Sequence, residues 1–159
     1  VKWPARAEII PTADDAPTIL VDGAPSPESA TVLADVIADL YLPNANAVVI
    51  YGGSGGHDFA ETAARLARDN TKFIITQSRH PKSVPSDEVA EALLRDNVNV
   101  AKVTANTKMA LLAAKQLANK DDLIVATGSL AIAAEIRELE LNIKPDYYPA
   151  LRRPAADRK

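Results

Sequence analysis

Four short stretches of this chain hold residue types that can do chemistry. Asp22-Gly23-Ala24 sets a carboxylate and a permissive residue at the end of the apolar run Thr18-Ile19-Leu20-Val21. Ser26 and Pro27 follow, a serine suited to cap a helix and a proline suited to its first position, so the carboxylate stands beside a helix N-terminus. In open α/β sheets such a corner is where ligands bind, although an Asp there also serves simply to form a turn. Gly52-Gly53-Ser54-Gly55-Gly56 follows a second apolar run and has the outline of a phosphate loop. It lacks the G-K-[ST] ending of a Walker A loop, and it fails G-x-G-x-x-G because Asp58 stands where the third glycine belongs. A mobile hinge or lid is an equal alternative for it. Residues 78–83, S-R-H-P-K-S, place Arg79, His80 and Lys82 within four positions: a candidate anion site, or a solvated loop. Ala126-Thr127-Gly128-Ser129 offers bare N–H groups and a hydroxyl. No Ser/His/Asp constellation, H-E-x-x-H motif or pair of catalytic carboxylates accompanies these stretches.

The elements that must position them read as a regular alternation. Strands are predicted over residues 6–10, 18–21, 47–51, 72–76, 99–104 and 122–127. Helices are predicted from Pro27 to Pro43-Asn44 and over 58–69, 86–97, 106–119 and 130–139. Ser86 is expected to cap the third helix, with Asp87 and Glu88 in its first turn. Met109, Leu112, Ala113, Gln116 and Leu117 recur at helical spacing on the fourth. The order β-β-α-β-α-β-α-β-α-β-α implies an α/β fold: a three-layer Rossmann-like domain with helices on both faces. Its sheet has about six strands, mostly parallel, and the first short strand is the antiparallel edge. Residues 1–141 form the domain, and residues 142–159 read as an extended surface tail rich in proline and basic residues. All βα loops of such a sheet emerge at one edge, which gathers the four chemical stretches there.

Composition bounds the function. The chain has 159 residues, 47% hydrophobic and 25% charged, with a net charge of -3. That suits a single soluble domain and disfavours a general nucleic-acid binder, which needs a basic face. There is no cysteine and there are only two histidines, His57 and His80, so neither a disulfide framework nor a structural zinc site is expected. No run approaches a membrane span and no signal peptide opens the chain, so the expected compartment is the cytoplasm. The first residues resemble mid-protein sequence, as in a piece of a longer chain.

Four motifs occur in one order: W-P-A-R-A-E at residues 3–8, L-V-D-G-A-P-S-P-E-S-A at 20–30, R-H-P-K-S at 79–83 and A-T-G-S-L at 126–130. Together they resemble the carboxyl-terminal domain of folylpolyglutamate synthase / dihydrofolate synthase, in the Mur ligase superfamily. The resemblance covers about residues 2–140. It implies a mostly parallel Rossmann-like sheet and an ATP-dependent ligase that adds glutamate to a folate or pterin carboxylate. ATP and Mg2+ are the implied cofactors, with the P-loop and most magnesium ligands on a central domain absent from this chain. The resemblance implies that Arg6 and Asp22 contact ATP, Arg6 at the phosphates and Asp22 near the ribose or that arginine. It sets Ser129, with His80 and Lys82, beside the incoming glutamate, and it names no metal ligand or complete catalytic set here.

The chain departs from the family pattern in three places. Pro25-Ser26 replaces the H-N that follows D-G-A, Ala5 replaces the glycine of W-P-G-R, and Gly55-Gly56-His57 replaces a loop that carries a lysine in related ligases. A second hypothesis is therefore a non-catalytic Rossmann-like ligand-binding or interaction module derived from such a ligase. A dinucleotide-dependent oxidoreductase is disfavoured by the failed glycine pattern.

Overall fold

A computed structural model describes residues 3–40, 46–145 and 147. Its elements are β1 (Glu8–Ile10), β2 (Thr18–Val21), α1 (Pro27–Leu40), β3 (Ala47–Tyr51), α2 (Phe59–Leu66), β4 (Thr71–Ile75), α3 (Ser86–Arg95), β5 (Val100–Val103), α4 (Thr107–Leu117), β6 (Leu123–Thr127) and α5 (Leu130–Glu140). The strands form one sheet in the order β1-β2-β6-β3-β4-β5. β1 lies antiparallel to β2, with Glu8 opposite Val21, and the other pairings are parallel. The Rossmann-like architecture expected from the alternation is the one formed.

Strand alternation builds two cores. Ile19, Val21, Ile50, Ile124 and Ala126 face α4 and α5. Leu20, Val49, Tyr51, Phe73 and Val125 face α1, α2 and α3. Small residues on the helices, among them Ala30, Ala63, Ala110 and Ala133, let the backbones approach closely. β6 sits between β2 and β3 and is buried along its whole length, as its unbroken apolar run L-I-V-A-T requires. α1 leaves β2 on one face and α5 leaves β6 on the other. Helices that diverge from adjacent strands open a crevice at the strands' carboxyl ends.

Some local expectations are corrected. β1 begins at Glu8, because Arg6 and Ala7 form a turn instead. Ser86 does not cap α3; Pro85 holds the N-cap position, and the Ser86 N–H donates to Gln77 Oε1 at 3.0 Å. On α4 the anticipated apolar stripe meets the sheet only through Ala113. Met109, Leu112 and Leu117 are exposed, while Ala110, Leu111, Ala113 and Ala114 meet the sheet. The helix stop at Pro43-Asn44 lies outside the described residues, as does most of the tail. Among the described residues no helix is long and apolar enough to cross a membrane.

Candidate functional site

The site grows from the end of β2. The Asp22 N–H donates to Ala126 O at 3.0 Å, which sets the carboxylate at the carboxyl edge of the sheet. Its Oδ2 accepts from Ala7 N at 2.7 Å and its Oδ1 from Ala24 N at 2.8 Å. Gly23 N donates to Ala5 O at 2.9 Å. The two neighbours of Arg6 are thus tied to the β2–α1 corner. Both hold left-handed backbone angles, φ 57° at Ala5 and 43° at Ala7. Because β1 runs antiparallel, the residues before it fall at the same edge as those after β2. Arg6 stands exposed at the tip of this turn and makes no hydrogen bond or ion pair among the described residues.

Beside it opens a cleft of about 520 Å³, lined by Arg6 and Asp22 and walled by Ala24, Pro25, Val32, Leu33, Val36 and Leu130. Its other polar side chain, Ser29, is spent on Ser26, donating to its carbonyl at 2.9 Å and accepting from its N–H at 3.0 Å. Among the described residues the cleft therefore offers one available cation against an apolar wall. That fits a phosphate-bearing ligand with a flat apolar part. Asp22, with an amide on each oxygen, shapes the turn that carries Arg6.

A second cleft of about 350 Å³ is lined by Ser54, Ser78, His80, Ser83, Ser129 and the first turn of α5. Leu130 lines both clefts, so they are neighbours along one edge. Ser129 caps α5, its Oγ accepting from Ile132 N at 3.2 Å, and its hydroxyl proton stays available to a ligand. His80 Nδ1 accepts from Lys82 N at 3.0 Å, so the neutral ring carries its proton on Nε2. Ser129 and His80 thus share one cleft, and Arg6 and Asp22 the other. Lys82 lines neither.

Two of the sequence candidates read differently in three dimensions. Arg79 is not part of an open anion cluster. Its guanidinium reaches Glu138 at 2.7 Å and Glu135 at 3.7 Å, and it lies over the Tyr147 ring at 5.7 Å. The glycine loop is not free as a hinge. Gly55 N donates to Lys82 O at 3.0 Å, Val84 N donates to Gly53 O at 3.1 Å, and Ser54 bridges Ser83. A Cβ on Gly52 would stand 2.6 Å from Ile132 Cδ1, so this glycine serves close packing. The helix that follows is capped by Asp58, whose Oδ1 accepts from Glu61 N, so an acid already holds the place an anion would take.

Glu135 and Arg137 carry no signal in the sequence, and Glu8 enters only as the last residue of W-P-A-R-A-E. Glu8 Oε2 accepts from Ala5 N at 2.8 Å, and Arg137 Nε meets both Glu8 oxygens at 3.0 Å. Glu135 accepts from Arg79 N at 2.8 Å and from Thr107 Oγ1 at 2.7 Å. These pairs span up to 129 positions, and no local pattern marks them. Among the described residues no group of three or more His, Asp or Glu could hold a metal ion.

The family model for the Mur ligase, glutamate ligase domain matches residues 5–130. The chain belongs to this family. No curated protein matches it by sequence. Among solved structures, the Mur ligase domain is similar to E. coli FolC in complex with DHPP and ADP, with TM-score 0.75 and 23% identity over 86% of this chain and 31% of that one. It is similar to Mycobacterium tuberculosis folylpolyglutamate synthase complexed with ADP, with TM-score 0.77 and 23% identity over 93% and 34%. A bifunctional folylpolyglutamate synthase/dihydrofolate synthase from Yersinia pestis, complexed with AMPPNP and Mn ion, gives TM-score 0.75 and 20% identity over 89% and 32%. Identities this low show the shared fold. The Mur ligase domain spans about a third of the length of each of these proteins.

Proposed function

We propose that this chain is the carboxyl-terminal domain of an ATP-dependent ligase that joins glutamate to a folate or pterin carboxylate in the cytoplasm. The carboxylate takes the γ-phosphoryl group of ATP and releases ADP. The glutamate amine then attacks the acyl carbon, the C–N bond forms, phosphate leaves and the nitrogen loses a proton. Arg6 grips the nucleotide phosphates, where a fixed charge with a fork of donors suits the task. Asp22 holds the turn that presents it, close to the ribose. Ser129 and His80 receive the glutamate from one cleft, and Lys82, on the His80 loop but lining neither cleft, is assigned to the same substrate. The P-loop and most of the ligands for Mg2+ belong to the rest of the enzyme, so this domain is inactive by itself.

The observation that carries the reading is the Arg6 turn: a cation unpaired among the described residues, its two neighbours clamped, at the lip of an apolar cleft in a Mur ligase fold. That the similar enzymes are complexed with ADP or AMPPNP supports a nucleotide as a ligand of the whole enzyme. The test is ATP turnover, dependent on folate and glutamate, by the polypeptide that carries this domain together with its P-loop region. Replacing Arg6 by Ala is expected to lower kcat about 100-fold, as loss of one charge-stabilising donor does. An inactive wild type overturns the ligase reading.

A second reading, a non-catalytic binding module, is favoured by Pro25-Ser26 in place of His-Asn, which leaves the first cleft poor in polar groups. It predicts that Arg6→Ala and Asp22→Ala leave the parent's function unchanged.

A further inference from the structure

We infer that helix α5 keeps the two clefts in register, with Arg137 positioning the Arg6 turn and Glu135 positioning the His80 loop. The inference rests on the ligase reading above. α5 starts at Ser129 inside the second cleft. Six residues further on, Glu135 is only 5% exposed and accepts from the backbone N–H of Arg79, the residue before His80, at 2.8 Å. Thr107 Oγ1 at 2.7 Å holds the same carboxylate from α4, and Glu138 takes the Arg79 guanidinium. Those bonds fix the backbone next to His80.

Arg137 stands two residues beyond Glu135, about 200° around the helix, and so reaches the opposite side. There it meets Glu8 at 3.0 Å, and Glu8 accepts from Ala5 N, the residue before Arg6, at 2.8 Å. One rigid element thus ends in a cleft residue and carries a strut to each side. Neither strut lines a cleft. Both are positioning residues, and they matter because a displacement of about 1 Å at a reacting group costs on the order of 100-fold in rate.

The experiment is steady-state ligation by the full-length polypeptide carrying this domain, varying ATP at saturating glutamate and then the reverse. Arg137→Ala is expected to raise the KM for ATP about tenfold and to leave that for glutamate within about twofold. Glu135→Ala is expected to do the opposite. Glu135→Gln restores most of the glutamate KM, because the amide oxygen still accepts from Arg79 N–H or Thr107. Should an alanine variant fail to fold, Thr107→Val, which removes one of the two bonds that hold the Glu135 carboxylate, and Arg137→Lys carry the same test with smaller shifts. Both constants moving together, or neither moving, overturns the inference. A wild type without ligation overturns the ligase reading instead. Amide exchange on this chain then decides the inference: Glu135→Ala must loosen residues 78–83 alone, and Arg137→Ala residues 5–8 alone.

Discussion

Ala5 and Ala7 hold a backbone conformation that costs an L-residue roughly 1–2 kcal/mol, and they flank the residue that matters most to the proposed chemistry. The strain persists because Asp22, Gly23 and Glu8 bond the turn from two sides. In the W-P-G-R motif that Ala5 departs from, glycine would take this angle without strain. Tyr51 shows a buried polar group handled differently. Its ring lies in the core and its hydroxyl donates to Phe59 O at 2.9 Å. Burial pushes the phenol well above its usual value of 10, with the Asp58 charge adding to the shift and a Thr62 hydrogen bond opposing it. Below pH 10 folded and unfolded tyrosine are both protonated. Above it only the unfolded state ionises, so stability falls as pH rises, by at most about 1.4 kcal/mol per pH unit. Urea unfolding at pH 9 and 11 is expected to show this loss, and Tyr51→Phe to flatten it. An equal slope in the variant counts against the account.

Among the elements, α4 shows how a helix can carry two apolar faces and bury only one. Leu111 is 6% exposed and Leu112 is 56% exposed, one residue apart. Leu111→Ala is expected to cost about 2–4 kcal/mol, and Leu112→Ala less than about 0.5 kcal/mol, in chemical denaturation. Comparable losses would mean that the anticipated stripe is the packed one after all. The sequence could not rank these faces, because alanine-rich and leucine-rich stripes both satisfy helical spacing. Close packing on the sheet chose the smaller side chains. α5 was legible as a helix starting at Leu130, but its struts to Arg79 and Glu8 were not.

For the whole molecule, the family model and the shared fold account for a domain about a third as long as the enzymes it matches. On the ligase reading proposed above, the P-loop and most ligands for Mg2+ lie on another domain. This chain alone, given ATP, folate and glutamate, is expected to release no ADP above background. Release at the parent's rate would show that the domain is not incomplete. The sequence by itself determined the strand–helix order, the parallel sheet with its antiparallel edge and the Mur ligase resemblance, since hydrophobic period and turn chemistry are local. It also put Asp22, Ser129 and His80 at loop positions, but it set Arg6 at the head of the first strand, which begins instead at Glu8. Only the tertiary structure decided which of them share a cleft. The insertion of β6 between β2 and β3, the pairing of Arg79 with Glu135 and Glu138, and the pinning of the glycine loop join residues far apart in the chain. Contacts of that kind are set by packing in three dimensions, which no spacing along the chain records.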